Sequence, residues 1–488
     1  MTPTRVLAVA SEVYPIIKTG GLADVAGALP AALKAHDVET HTLVPGYPDV
    51  IKALAGANVV LHLPNFFGGP ARLLAGTRGE LDVFALDAPH LFDRPGNPYV
   101  TPDGKDWPDN GLRFAALSRM AADIGLGAIS AFIPDIVHAH DWQAGLTPAY
   151  LHYADQRRPG TVMTIHNMAY QGRFPFEMLA TFGLPPESFN VHGVEYYGAI
   201  SFLKAGVQFA DRVTTVSSTY AKEIQSDEGG MGLGGLLRER SAVLSGIING
   251  IDISVWNPAT DPHIAYRFNE DNLPFRAVNK TALQRRFNLD PSPNALLLSV
   301  ISRLSWQKGL DLLLENVPTI LGEGMQLALL GSGDADLQDR YQAAARANPG
   351  RIAVVIGYDE VLAHLIQAGS DALAVPSRFE PCGLTQLCAL RYGAVPIVAR
   401  VGGLEDTVVD IDDANGRAAT GIKFGPVTSE NLADALRKAN LTFRNRPAWR
   451  KLQASGMSTD VSWRNRAGDY AALYRGILAT SNLETAAH

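Results

Sequence analysis

The chain has few cysteines: two among its 488 residues, Cys382 and Cys388. Their spacing matches no zinc motif, and so small a number argues against a secreted protein held together by disulfides. Long apolar runs are also missing, so no segment is predicted to span a membrane. The apolar stretch near the start, RVLAVA (5–10), is too short for a signal peptide. We therefore expect a cytoplasmic protein without a membrane partner.

An excess of positive charge is absent as well. Lysine and arginine number 42 against 49 aspartates and glutamates, which gives a net charge of -7 at pH 7. This balance argues against a nucleic-acid partner, and any positive potential must be local. The composition, with 47% hydrophobic and 19% charged residues, is typical of a globular enzyme. A chain of this length should form two or three domains.

Segments with strand and helix patterns alternate along the chain. Short aliphatic and β-branched runs are typical of strands that are buried on both faces of a parallel sheet. In the first half such runs are found at 5–10, 38–45, 81–86, 135–140, 161–166 and 212–217. In the second half they are found at 295–302, 325–331, 351–357, 371–377 and 394–399. Two alternating series indicate two Rossmann-like domains.

Turn residues interrupt this pattern near SGIINGIDISVWNP (245–258). We therefore predict domains at 1–246 and 247–462. From its residues alone, the last helical stretch (463–488), with Tyr474 on its apolar face, could pack on either domain. Ligands of open α/β sheets bind beyond the carboxyl ends of the strands, and polar or glycine-rich segments follow the predicted strands of both domains. We expect the active cleft at this edge.

The first of these segments contains KTGG, between the predicted strand 5–10 and a helical pattern that starts at Leu22. Gly20 and Gly21 would let the backbone come close to a ligand, and the start of a helix offers unpaired N–H groups. Lys18 adds a full positive charge, so the segment could bind phosphate. It has neither the order of a Walker loop nor the spacing of a dinucleotide fingerprint. A plain strand-to-helix turn remains the alternative.

Two segments of the second half carry further candidates. SRLSWQKG places Arg303 and Lys308 on one short loop, where they could bind a diphosphate. In EPCGLTQ, Glu380 could hold sugar hydroxyls while the helix start from Gly383 to Thr385 binds phosphate. The alternatives are solvated charges on the first loop and a plain N-terminal helix acid on the second.

Metal and hydrolase chemistry have weaker support. His138 and His140 alternate on a predicted strand, but no third ligand is evident, so we interpret them as packing residues. DAD (334–336) and DIDD (410–413) could also attract a metal, yet they are typical of a helix start and of a solvated turn. A G-x-S-x-G elbow is missing from the sequence. We predict no metal site and no cofactor.

Six motifs, taken in order, resemble one family. KTGGLADV, FDRPGNPY (92–99), HAHDWQAG, TIHNMAYQG, SRLSWQKG and EPCGLTQL are similar to motifs of the bacterial glycogen synthases and plant starch synthases. With VGGLEDTV (401–408), they extend over nearly the whole chain. The resemblance implies an α/β protein of the GT-B fold, with two Rossmann-like doubly wound domains facing each other across a deep cleft. One departure from the wider superfamily, Cys388 in place of the second Glu of a Glu-x7-Glu pair, fits the synthase branch.

The resemblance also implies the reaction. Glucose would pass from ADP-glucose to the non-reducing 4-hydroxyl of an α-1,4-glucan such as glycogen, with retention of configuration. The second domain would bind the donor, and the first would bind the acceptor, with 463–488 packing back on the first. The implied catalytic residues are Glu380, Arg303, Lys308, His166 and Asp141. The implied donor-binding residues are Lys18, Gly20, Gly21, Asp24, Asn249, Tyr358, Ser377, Cys382, Gly383, Leu384 and Thr385.

Roles within these sets follow from the same resemblance. The loop of Lys18 would meet the phosphates of the donor from the first domain, and Glu380 would hold the glucose. Asp141 and His166 would lie near the anomeric centre, and Tyr358 would stack on the nucleobase. Two rival functions are another GT-B glycosyltransferase, which should lack KTGGLADV together with EPCGLTQ, and a glucan-binding protein that has lost its catalytic charges.

Overall fold

A computed structural model describes residues 3–413 and 418–486, with side chains as far as residue 480. Residues 414–417, in the polar run after DIDD, lie outside the described residues, as do the last two residues of the predicted segment 463–488. Within the described ranges, the structure contains no helix that is long and apolar enough to cross a membrane.

The first compact unit comprises Met1–Asn249 and Trp463–His488. Its strands are β1 (Thr4–Val9), β2 (Val38–Pro45), β3 (Asn58–Phe66), β4 (Gly69–Arg78), β5 (Leu81–Asp87), β6 (Ile136–His140), β7 (Gly160–Ile165), β8 (Arg173–Pro175), β9 (Glu195–Tyr196), β10 (Ala199–Ser201), β11 (Arg212–Thr215) and β12 (Leu244–Gly246). Its first helices are α1 (Gly21–Leu33), α2 (Pro48–Ala53), α3 (Pro89–Phe92), α4 (Asn110–Gly125), α5 (Thr147–His152), α6 (Phe202–Phe209), α7 (Ser218–Glu223) and α8 (Gly234–Glu239). The six strands predicted in the first half are confirmed, each within two residues.

The main sheet of this unit has the strand order β12-β11-β7-β6-β1-β2-β5-β4-β3. The first seven strands in this order, from β12 to β5, pair in parallel. The last two, β4 and β3, extend the edge of the sheet with antiparallel pairing. Because β1 lies between β2 and β6, the strand order reverses beside it. Loops beyond the carboxyl ends of strands at such a reversal form the ligand crevice of an open sheet. The KTGG segment follows β1 and therefore lies there.

The sequence pattern does not predict the antiparallel hairpin of β3 and β4. The outer strand β3 is exposed at most of its positions, and β4 is buried only at Ala71, Leu73 and Leu74. Such an edge lacks the continuous apolar run of a buried parallel strand. Phe67 and Gly68 form the turn, both with positive φ, 52° and 91°.

The second compact unit is Gly250–Ser462. Its strands are β13 (Leu297–Ile301), β14 (Gln326–Gly331), β15 (Ile352–Ile356), β16 (Ala372–Val375), β17 (Val395–Ala399) and β18 (Ile422–Phe424). Its helices are α9 (Arg276–Arg286), α10 (Leu310–Glu315), α11 (Val317–Gly322), α12 (Ala335–Ala347), α13 (Glu360–Gly369), α14 (Thr385–Tyr392), α15 (Gly402–Thr407), α16 (Ser429–Arg444) and α17 (Arg446–Met457). The five strands predicted here are also confirmed within two residues, whereas the short β18 is not predicted.

The sheet of the second unit is parallel, in the order β15-β14-β13-β16-β17-β18. Strand β13 lies between β14 and β16, so the order reverses beside it, as it does beside β1 in the first unit. The loops that follow β13 and β16 are therefore neighbours, although they lie about 70 residues apart in the chain. SRLSWQKG lies on one loop and EPCG on the other.

The last helix, α18 (Trp463–Ala486), belongs to the first unit. Its apolar face, which includes Ala467, Tyr470 and Tyr474, packs in one buried cluster with residues of α1 and β1. The Tyr474 hydroxyl lies 2.8 Å from Nδ1 of His138 on β6. The helix thus covers the sheet of the first unit and is tied to it by a buried hydrogen bond.

We predict a graded loss of stability from two substitutions of Tyr474. Tyr474→Phe keeps the ring but removes the hydroxyl partner of His138, which should cost about 1–3 kcal/mol. Tyr474→Ala also leaves a cavity in a fully buried place and should cost about 3–5 kcal/mol. Scanning calorimetry of the first unit's transition measures both losses. Tyr197→Phe, at a tyrosine that is 76% exposed, is the control. Equal, small effects of both Tyr474 variants would contradict the prediction.

Candidate active site

In the first unit, Lys18 lies on the loop between β1 and α1. Its ammonium is 2.9 Å from Oδ1 of Asp24, in the first turn of α1, and 5.3 Å from the centre of the Tyr14 ring. Gly20 immediately precedes α1, and a methyl group placed on it would meet none of the described atoms within 4 Å. Space for a ligand therefore exists beside the glycine, and Asp24 holds the nearby lysine in place.

Asp141 follows β6 and has an unusual backbone. Its φ is 57°, a conformation that non-glycine residues rarely adopt and that costs about 1–3 kcal/mol. Its Oδ1 accepts hydrogen bonds from the backbone N–H of His166 (2.7 Å) and of Asn167 (3.4 Å). Burial raises the pKa of Asp141 to about 7, and the nearby Glu12 carboxylate also raises it. The strained turn thus joins two predicted catalytic residues, Asp141 and His166.

Three histidines lie beside this turn. The rings of His138 and His140 stack with centroids 4.1 Å apart, and Nδ1 of His140 is 3.0 Å from Nε2 of His166. Both ring nitrogens of His138 are occupied, by Tyr474 at 2.8 Å and by Thr164 at 2.6 Å. Burial lowers the pKa of His140 to about 3 and lowers those of the other two well below the ordinary value. These histidines are neutral at pH 7, and His138 packs as expected.

In the second unit, an ion pair joins the two neighbouring loops. The Lys308 ammonium lies 2.7 and 2.6 Å from the two carboxylate oxygens of Glu380. The Ser377 hydroxyl donates to the same carboxylate at 2.8 Å. Glu380 is buried, and its charge is compensated by these contacts. The residue predicted to hold glucose therefore touches a residue predicted to bind the diphosphate, and Arg303 lies on the same loop as Lys308.

The EPCG turn is fixed from two sides. The backbone N–H of Gly403 donates to the carbonyls of Glu380 (3.0 Å) and Pro381 (3.1 Å). A methyl group on Gly403 would lie 2.4 Å from the Cα of Cys382, so only glycine fits there. The Gln386 amide donates to the carbonyls of Cys382 (3.0 Å) and Gly383 (2.9 Å). Gly403 and Gln386 stand inside recognised motifs but are missing from the predicted site.

The same turn sets up the helix that follows it. Gly383 has a φ of 73°, which favours glycine, and Leu384 precedes α14, which begins at Thr385. Both cysteines are buried. These features agree with a helix start that presents its N–H groups at the edge of the sheet.

Two further residues that are predicted to bind the sugar nucleotide differ in their surroundings. Tyr358 follows β15 and is 70% exposed, so its ring is open to a stacking partner. Asn249, which follows β12, is buried, and its Oδ1 meets no hydrogen-bond donor among the described residues. A buried amide oxygen without a donor is costly and is satisfied when a ligand or water binds.

The two acidic motifs are engaged in protein contacts. Oδ1 of Asp334 accepts from the N–H of Leu337 at 3.1 Å, so it caps α12 as predicted. The expectation of a solvated turn at DIDD is wrong for its first residue: Asp410 is buried and forms an ion pair with Arg400, which also contacts Asp413. The described part of the chain contains no group of three or more His, Cys, Asp or Glu residues that could hold a metal ion.

Comparison with known proteins places these features in context. Residues 5–239 match the family described as the starch synthase catalytic domain, and residues 282–446 match glycosyl transferases group 1. Glycogen synthase 2 of Bradyrhizobium diazoefficiens is 75% identical, with 98% of this chain and 99% of that protein covered. A glycogen synthase of Rhodopseudomonas palustris is 63% identical, with 98% of each covered.

Solved structures agree. The catalytic domain of starch synthase IV from Arabidopsis thaliana, bound to ADP and acarbose, has a TM-score of 0.87 and 32% identity, with 98% of this chain and 100% of that chain covered. Sucrose-phosphate synthase from Thermosynechococcus elongatus has a TM-score of 0.58 at 16% identity, over 98% and 100% of the two chains, and supports the fold alone.

The two mainly parallel sheets, with their helices, are those of a glycosyltransferase of the GT-B class. Within that class, the chain belongs to the glycogen synthase family.

We predict that the destabilisation caused by the buried Asp141 carboxyl group depends on pH. The folded protein keeps the Asp141 proton up to about pH 7, whereas an unfolded chain releases it near 3.8, so stability falls as the pH rises between these values. Asp141→Asn has no such proton to lose. The stability of the variant relative to the wild type should therefore rise from pH 5 to pH 8, by about 2–4 kcal/mol.

Thermal unfolding midpoints of both proteins across this range provide the measurement. Asp336→Asn, at a carboxylate that is 75% exposed, is the matched control and should show a constant difference from the wild type. A constant difference for Asp141→Asn as well would show that this carboxyl group is already ionised in the folded protein at pH 5.

Proposed function

We propose that this chain transfers glucose from ADP-glucose to the 4-hydroxyl at the non-reducing end of an α-1,4-glucan, with retention of configuration and release of ADP. The observation that carries the proposal is the ion pair between the partly buried Lys308 and the buried Glu380 at the strand-order reversal of the second unit. It joins a cation suited to phosphate with a carboxylate suited to sugar hydroxyls. The identity to glycogen synthases over 98% of the chain supports the same reaction.

The second domain, 247–462, is proposed as the donor side. Arg303 and Lys308 bind the diphosphate, assisted by the N–H groups at the start of α14. An ammonium has three N–H donors, and Glu380 takes two at most, so Lys308 can contact phosphate while it stays paired. Glu380 holds the glucose, and the exposed Tyr358 stacks on the nucleobase.

Backbone and small side chains complete the donor side of the proposal. The backbone of Cys382, Gly383 and Leu384 contacts the glucose and the phosphates, and the hydroxyl of Thr385 assists. Ser377 acts on the donor through Glu380, to which it donates a hydrogen bond.

The first domain, 1–246 with 463–488, is proposed as the acceptor side. Lys18 and the backbone at Gly20 and Gly21 add positive character for the phosphates of the donor, and Asp24 orients Lys18. Asp141 and His166 lie near the anomeric carbon in this proposal, and their mutual hydrogen bond fixes their relative positions. Asn249, whose buried oxygen needs a donor, contacts the sugar nucleotide.

Charge stabilisation is the main catalytic effect in this proposal. As the bond between glucose and the diphosphate breaks, negative charge grows on the leaving oxygens. Lys308 is held in advance by Glu380, so it stabilises this charge with little reorganisation, and Arg303 on the same loop adds a second positive charge. No side chain is assigned as a covalent nucleophile, and we propose front-face transfer assisted by the leaving phosphate. We further propose a cytoplasmic location.

The decisive assay incubates the protein with glycogen and labelled ADP-glucose or UDP-glucose and counts label in the polymer. Incorporation from ADP-glucose is the expected result. Binding of glycogen without incorporation from either donor would instead favour a glucan-binding protein. Label that appears only in a small soluble product would favour a different GT-B glycosyltransferase.

We predict that Arg303→Ala and Lys308→Ala each lower kcat by about 10² to 10³, because each removes a group that stabilises charge in the transition state. Initial rates at saturating ADP-glucose and glycogen test this. Arg437→Ala, at an arginine on α16 that is 54% exposed, is the control and should retain the wild-type rate. A near-wild-type kcat in either variant would remove that residue from the proposed phosphate contacts.

We also predict that transfer continues in excess EDTA. Lys18, Arg303, Lys308 and the start of α14 supply the positive character that a diphosphate needs, and a metal would compete for the same oxygens. The rate of label incorporation is measured with EDTA alone and after addition of magnesium or manganese. Complete loss of activity that either metal restores would refute the metal-free mechanism.

A further inference from the structure

Glu12 lies three residues after Val9, the last residue of β1 that pairs with β2, and stands outside the six motifs that carry the family resemblance. Glu12 is only 3% exposed, although its side chain carries a carboxylate. Burying an ionised carboxylate is costly unless hydrogen bonds compensate it. Burial raises the pKa of Glu12, and hydrogen bonds from Thr19, Tyr99 and Gly20 oppose that rise. The protein therefore surrounds this group with donors.

Most of the hydrogen-bond donors to Glu12 belong to the two residues that follow Lys18. The backbone N–H and the hydroxyl of Thr19 both donate to Glu12, the hydroxyl at 2.9 Å from each oxygen, and the backbone N–H of Gly20 donates at 3.2 Å. Glu12 thus accepts the N–H groups of both residues that join Lys18 to α1. On the other side of Lys18, a backbone pair between Val13 and Ile17 closes a tight turn.

The remaining hydrogen-bond donor to Glu12 comes from the segment FDRPGNPY (92–99). The Tyr99 hydroxyl donates to Oε1 of Glu12 at 2.9 Å and lies 2.7 Å from the hydroxyl of Ser11. Arg113 holds the same segment by donating to the carbonyl of Pro98 at 2.8 Å. The carboxylate of Glu12 therefore joins three parts of the first unit: the end of β1, the loop of Lys18 and the segment around Tyr99.

We propose that Glu12 is a positioning residue for glucose transfer, which fixes Thr19 and Gly20 so that Lys18 and the backbone N–H of Gly21 are held ready for the phosphates of ADP-glucose. This inference rests on the proposed function, because it assumes that Lys18 contacts the phosphates of ADP-glucose. Glu12 does not touch the reacting atoms and acts through the loop.

The substitution Glu12→Gln isolates this role. A glutamine has nearly the same shape, but its amide has one acceptor oxygen, so it cannot accept both from the N–H groups of Thr19 and Gly20 and from the Tyr99 hydroxyl as the carboxylate does. The loop should lose its anchor while the fold remains. Small misplacements of a positioning group can cost about 10²-fold in rate. We expect kcat/KM for ADP-glucose to fall by about 10- to 100-fold.

The test is a double-mutant cycle of Glu12→Gln with Lys18→Ala. If Glu12 acts largely through Lys18, the loss of kcat/KM in the double variant should be clearly smaller than the product of the two single losses, and KM for the glucan should stay unchanged in all three. Multiplicative effects of the two substitutions would overturn the proposal, because they would show that Glu12 acts independently of Lys18. Glu80→Gln, at an exposed carboxylate of the same unit, is the matched control.

Hydrogen exchange gives a second readout that does not need activity. The amides of Thr19 and Gly20 should exchange faster in Glu12→Gln than in the wild type and in Glu80→Gln. Unchanged exchange would overturn the proposal. If Glu12→Gln fails to fold, Thr19→Val removes one donor to the carboxylate and is expected to show the same changes in smaller degree. A wild-type protein that transfers no glucose from ADP-glucose would refute the proposed function, whereas the exchange result tests the anchor itself.

Discussion

Neighbouring strands in the two main sheets run mostly in parallel, and this constraint determines where each proposed site residue lies. A parallel sheet places the carboxyl ends of its strands, and the loops that follow, along one edge. In the first unit, the loops after β1, β6 and β7 carry Lys18, Asp141 and His166. In the second unit, the loops after β13 and β16 carry Lys308 and Glu380, which are 72 residues apart in the chain. Secondary structure alone would not bring these residues together, but the strand order does.

Buried carboxylates organise both units in the same way. Glu12 accepts donors from the loop of Lys18, Glu380 accepts from Lys308 and Ser377, and Asp141 accepts from the backbone at His166. A buried acid without such partners would be destabilising, so each one selects the loop conformation that supplies its donors. These carboxyl groups thus anchor the loops that carry Lys18, His166 and Lys308, which are proposed to meet the substrate.

Much of the fold could be predicted from the sequence, because buried parallel strands leave continuous apolar runs and their helices leave a clear spacing. The edge hairpin of β3 and β4 could not, because its residues are half exposed and carry neither pattern. The motifs also indicated the loops of the candidate site. They do not indicate Glu12, whose contacts depend on how the loop from Glu12 to Gly20 folds back, or the Lys308–Glu380 contact, which joins loops 72 residues apart.

The packing of α18 on the first unit has a consequence for synthesis of the chain. The buried cluster that α18 completes contains Val25 and Leu29 of α1, yet its last members, Tyr474 and Ile477, are translated more than 400 residues later. Gly250–Ser462 emerges from the ribosome in full before those residues do. A nascent first unit therefore exposes the apolar surface of α1 throughout translation of the second, and its final closure occurs only near the end of translation.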